Sequence, residues 1–117
     1  MKKLVLMGVM LMIFPTFSFA QNSRKTYTGQ IMDSACAKMG NHDAGYKMTG
    51  TSTPKGCTLA CVKGGSTFVL YNGEDKTTYK LDNQKEPRRF AGENVKVSGT
   101  LNQATDTIHV DSIKAGS

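Results

Sequence analysis

Three cysteines, Cys36, Cys57 and Cys61, and one histidine, His42, fall within residues 36–61 of the 117-residue chain. Thiolate sulfur and imidazole nitrogen are the donors that zinc and copper prefer, with metal–sulfur distances of about 2.3 Å. Cys57-x-x-x-Cys61 places two sulfurs at positions i and i+4. On a helix they leave the same face with Cβ atoms about 5–6 Å apart, too far for a disulfide but suited to a shared ion. Cys36 and His42 complete a candidate four-ligand set. The nearby thioethers of Met39 and Met48 tilt the choice of ion from zinc towards Cu(I). Asp33 stands three residues before Cys36. There it is expected to shape a turn, with orientation of a metal ligand from outside as its second role.

The same cysteines admit a plainer chemistry. A disulfide from Cys36 to Cys57 or Cys61 closes a loop of some twenty residues and contributes about 3 kcal/mol by restricting the unfolded chain. It leaves one thiol over, available to join two molecules. A thiol–disulfide redox role for Cys57 and Cys61 is the third option, and requires the helix between them to open. General acid–base catalysis has little to draw on, with two histidines and three glutamates in the chain. No phosphate-cradling glycine loop, HExxH or GxSxG is present. The inventory therefore favours a binding module over an enzyme.

The first twenty residues carry a different message. Lys2 and Lys3, the apolar run from Leu4 to Phe14, and Ser18-Phe19-Ala20 have the order of a secretory signal peptide. Residues 1–20 are thus expected to be removed, leaving residues 21–117 as a single periplasmic or secreted domain with no membrane segment. That destination is oxidising, which makes an odd cysteine count consequential. The formal net charge of +6 is a modest excess, read as solubility. Lys85, Arg88, Arg89 and Lys96 around Phe90 resemble an oligomer-binding patch, but a charged connection is usually a solvated face and export removes nucleic acid as a partner. The expected partner is a metal ion, a protein or a glycan, and the expected state a monomer, with a dimer through the odd cysteine as the variant.

The elements that must position these residues are short. Thr26–Met32 alternates as a strand with Tyr27, Gly29 and Ile31 on one face, and Gly29 suggests a bulge. Residues 34–53 are rich in Gly, Ser, Thr, Asp and Asn without periodicity and read as loop. Thr53 as cap, Pro54 at the first position and Gly64-Gly65 as stop predict a helix over Pro54–Lys63. Strands are expected at Ser66–Tyr71, Thr77–Leu81, Val95–Leu101 and Thr107–Ile113, with Val95, Val97, Ile108 and Val110 inward and His109 facing solvent. Five short strands avoid open edges by closing, so the fold class is mainly β. A small five-stranded OB-like barrel with one short helix between strands 1 and 2 is the expected architecture.

Gly29-Gln30-Ile31-Met32-Asp33-x-x-Cys36, His42, Cys57-x3-Cys61-Val62-Lys63-x-Gly65, Phe68-Val69-Leu70 and Ala91-Gly92-x-x-Val95-x-Val97-x-Gly99 together resemble a group of small secreted bacterial proteins classed as a domain of unknown function. The resemblance implies an OB-like barrel carrying a Cys/His cluster, and implies no activity. The sequence as a whole points to an exported binding module holding a soft metal ion through Cys36, His42, Cys57 and Cys61. A disulfide-stapled interaction domain is the alternative.

Overall fold

The structure, a computed structural model, describes residues 10, 12–15 and 24–116. The expected signal peptide lies outside the described residues except for 10 and 12–15, which form no helix or strand. No helix among the described residues is long and apolar enough to cross a membrane.

Five strands carry the chain: β1 (Lys25–Asp33), β2 (Phe68–Asn72), β3 (Thr77–Leu81), β4 (Asn94–Asn102) and β5 (Thr107–Ala115). They pair in the order β1-β2-β3-β5-β4, and β4 returns to β1, so the sheet closes into a ring. All pairings are antiparallel except β3 with β5, a parallel seam of only Lys80↔Thr107 and Leu81↔Ile108. β1 serves two neighbours. Residues 25–30 pair with β4 and residues 30–33 with β2, the exchange falling at Gln30. Just before it, a Cβ on Gly29 would lie 2.5 Å from the Tyr71 carbonyl oxygen. Gly29 therefore permits close approach where β1 changes partner, and its pairing with Val95 runs on without a bulge. The irregularity lies instead on β4, at Ser98/Gly99.

Alternation on β1 and β2 gives the molecule two apolar cores. Ile31, Phe68 and Leu70 face into the ring and pack with Leu81, Ala91, Val95, Val97 and Ile108. Met32 and Val69, one residue out of phase, face outward and pack with Cys36, Ala37 and Cys57. Both faces of β2 are thus covered, which accounts for its continuous apolar run Phe68-Val69-Leu70. Ile108 is buried as expected, while Val110 is only partly so.

The outer core is covered by three helices, where one was expected. Residues 34–53 are not a loop: they hold α1 (Ser34–Met39) and α2 (Asp43–Thr49), ahead of α3 (Pro54–Lys63). The residues that suggested loop are their punctuation. Asp33 caps α1, accepting from the Cys36 N–H at 3.0 Å, and Gly40 ends it at φ +75°. Gly50 ends α2 at φ +70°. α3 has the expected bounds and the expected Thr53 cap, with Thr53 Oγ1 accepting from Gly56 at 3.0 Å. Its Leu59 and Val62 pack against the ring core while Cys57 and Cys61 face the outer one. All three helices leave and re-enter the sheet at one place. Asp33 is paired with Phe68, and the Ser34 N–H donates to the Thr67 carbonyl at 2.8 Å.

The connection from β3 to β4 contains a 3-10 turn at Glu86–Phe90. Gln84 fastens it to β2: its side chain accepts from the Phe68 N–H at 2.8 Å and donates to the Phe68 carbonyl at 3.0 Å. Two of the basic residues noted around Phe90 lie over aromatic rings. Arg88 lies over the Phe68 ring at 5.4 Å and Arg89 over Phe90 at 5.6 Å.

Candidate metal centre

Four side chains converge where α1 and α3 meet the outer face of β1. Asp33 comes from the last position of β1, Cys36 from the first turns of α1, and Cys57 and Cys61 from successive turns of α3. One ligand atom from each lies within 4.8 Å of every other, and the first three residues are buried. Cys36 Sγ and Cys57 Sγ are 3.9 Å apart, and all three cysteines are free thiols. That separation is about twice a sulfur–sulfur bond of roughly 2.04 Å. It is close to the edge of about 3.8 Å of a tetrahedron built on metal–sulfur distances of about 2.3 Å.

Asp33 does two things at once. Oδ2 caps α1, whereas Oδ1 is buried with no hydrogen-bond partner. A buried carboxylate oxygen left unpaired is costly unless a cation meets it. The thiols show the other side of that balance. Burial, reinforced by the Asp33 carboxylate and the Cys57 sulfur, pushes the Cys36 thiol far above its ordinary range. Burial and Asp33 push Cys61 up as well. Both sulfurs therefore keep their protons at neutral pH until something positive replaces them.

The roof over the sulfurs is α2, and its contact residue is Gly45. A Cβ there would stand 2.5 Å from Cys57 Sγ and 2.7 Å from Cys36 Sγ, so the α2 backbone rests directly on the pair. Tyr46, the next residue, packs against the same cluster. Gly45 has no counterpart among the donors read from the sequence. No sequence signal marks it: His42, Gly45, Tyr46 and Thr49 share a helical spacing but include no aliphatic residue to give an apolar period.

The structure brings three of the four sequence-derived donors together and substitutes Asp33 for the fourth. His42 lies at the entry to α2, outside the convergent group. It is nonetheless buried, at 7 % exposure, with its ring stacked on Tyr46 at 5.8 Å and neither ring nitrogen partnered. Burial lowers its pKa, against the pull of Asp33 and Asp43. Met39 and Met48 are 56 % and 85 % exposed, so neither of the thioethers that tilted the choice towards Cu(I) belongs to the buried group. His109 faces solvent as expected, paired through Nδ1 with Asp82.

No curated protein and no solved structure matches the chain. One family model does match, over a shorter span than the Gly29-to-Gly99 motif resemblance, and all four convergent donors precede it. Residues 62–116, from the end of α3 through β5, match the family described as "Protein of unknown function (DUF5818)".

Proposed function

We propose that this chain is an exported metal-binding module that holds one zinc ion through Asp33, Cys36, Cys57 and Cys61. The observation that carries the reading is the convergence of a carboxylate and three thiols within 4.8 Å in a largely buried site. Borderline-soft zinc accepts a mixed set of sulfur and oxygen donors in tetrahedral geometry, whereas Cu(I) prefers soft donors alone. The unpaired Asp33 Oδ1 supports the same assignment. With four protein donors the coordination sphere is filled, as in structural rather than catalytic zinc sites. The closed order of strands supports an OB-like barrel as the scaffold. Export rests on the first twenty residues, and places the centre where unprotected thiols are oxidised.

The test is thiol counting together with elemental analysis on protein taken from the compartment to which it is exported. One equivalent of zinc and three thiols that react only after chelation are expected. One free thiol, a disulfide and no metal would instead establish the stapled interaction domain, whose partner would be a protein or a glycan. Because the bound thiols lose their protons, zinc uptake should acidify a weakly buffered solution, and the apparent affinity should rise with pH. Asp33→Asn isolates the carboxylate, since asparagine caps a helix as well as aspartate does. It should weaken zinc binding by about 10- to 100-fold while leaving α1 in place.

A further inference from the structure

We propose that His42 is a transfer ligand: carried on a hinged α2, it takes the incoming ion first and hands it inward to Asp33 and the three cysteines. The inference rests on the zinc-site reading and concerns how the centre is filled.

His42 is 7 % exposed, yet neither Nδ1 nor Nε2 meets a hydrogen-bond partner among the described residues. An orphaned buried polar group costs about 1–3 kcal/mol, and such groups call for an explanation in function or in a bound species. A place in the filled centre does not supply one, because His42 lies outside the group of mutually close donors, and those four already match the number a tetrahedral site takes. Its ring is stacked on Tyr46, which in turn packs against the outer core that contains Cys36 and Cys57.

The segment bearing it is built to move. α2 is bracketed by Gly40 and Gly50, both in the left-handed region, and space is open around Gly50. Within α2 only Gly45 is buried, and Met48 points to solvent. A seven-residue helix with so little apolar burial belongs to the low-stability end of local opening. While it is seated, the Gly45 backbone covers the Cys36 and Cys57 sulfurs. An ion reaches those sulfurs when α2 lifts, and the imidazole that travels with α2 is the donor on its path. No bond is oxidised or reduced in the transfer. Nitrogen–metal coordination is exchanged for sulfur and oxygen, and the thiol protons leave to solvent.

The experiment mixes the reduced, metal-free chain rapidly with Co2+, whose visible bands report both the rate of uptake and the final ligand set. His42→Phe keeps an aromatic ring to stack on Tyr46 and removes both nitrogens. A transient ligand changes rates in both directions and leaves the end point alone. Uptake and chelator-driven release should therefore each slow by at least about tenfold, with unchanged final bands and stoichiometry. Uptake as fast as in the unaltered chain would reduce His42 to packing and overturn the proposal. So would altered final bands, which would make His42 a permanent ligand. Failure of the unaltered chain to take up any ion would sink the zinc site itself, an outcome distinct from either. If His42→Phe does not fold, His42→Gln is read by the same criteria.

Discussion

Gly45 poses two opposed energies at a single atom. Alanine is favoured over glycine inside a helix by about 1 kcal/mol. Here the added methyl would lie 2.5 Å and 2.7 Å from the buried Cys57 and Cys36 sulfurs, and overpacking of that kind costs about 1–3 kcal/mol. The clash outweighs the propensity. On the zinc reading, Gly45→Ala is therefore expected to lower the thermal midpoint of the loaded protein and to weaken the ion's binding in chelator competition. A variant as stable as the parent, with unchanged affinity, would show that α2 does not sit on the sulfurs. The cysteines of the centre were legible in the sequence because thiol chemistry is a property of residue type, and their spacing survives on α3. Asp33 was legible as a turn-former, but its second oxygen gains meaning only from the turn that brings α3 beside it. Gly45 was not legible at all, since a glycine among loop-forming residues says nothing of two sulfurs brought beneath it by residues 36 and 57.

At the scale of elements, the β3–β5 seam closes the ring with two residue pairs, and Asp82 extends it. Its backbone N–H donates to the Ile108 carbonyl at 3.1 Å, its Oδ1 accepts from the Val110 N–H at 2.9 Å, and its Oδ2 pairs with His109 Nδ1. The Val110 hydrogen bond first, and then His109, hold the Asp82 pKa below its ordinary 3.8; Asp82 in turn raises His109 above 6.5. The signs define a window. The aspartate's contribution is present above its ordinary pKa and lost as pH falls, while the histidine's is present below pH 6.5 and lost as pH rises through its elevated value. The seam is strongest between those limits. Asp82→Asn should return the His109 titration, followed by NMR, towards 6.5 and flatten the pH dependence of unfolding across the window. An unmoved titration would show that the pair does not form. α3 and β3 had the expected bounds, and for α3 the reason is that Thr53-Pro54 and Gly64-Gly65 act locally. α1 and α2 escaped because each is too short to show an apolar period, and their caps, Asp33, Gly40 and Gly50, are the same residue types that make loops.

For the molecule as a whole, the two cores predict two stabilities. The ring core is built from strand residues and Ala91 of the β3–β4 connection, with cover that includes Leu59, Val62 and Phe90. The outer core is small, and two of its five buried residues are the thiols Cys36 and Cys57. On the zinc reading, removing the ion should therefore speed amide hydrogen exchange through residues 36–50 while leaving β4 and β5 protected. Uniform loss of protection would show that the metal holds the entire fold, and no loss would uncouple it from the helices. The closed ring was foreseeable from five strand signals and the need to hide edges. The outer core was not, because Met32 and Val69 read as ordinary members of apolar runs until helices are known to lie over them. The single exit and return of the helical segment, at Asp33↔Phe68 and Ser34–Thr67, has an evolutionary consequence. Viewed from the sheet, β1 and β2 are an ordinary hairpin, and residues 34–67 are its loop grown large enough to house a site. Changes in that loop can remodel the chemistry without asking the sheet to find a new register. Three of the four proposed donors, Cys36, Cys57 and Cys61, thus lie in the loop, and only Asp33, at the end of β1, ties the centre to the scaffold.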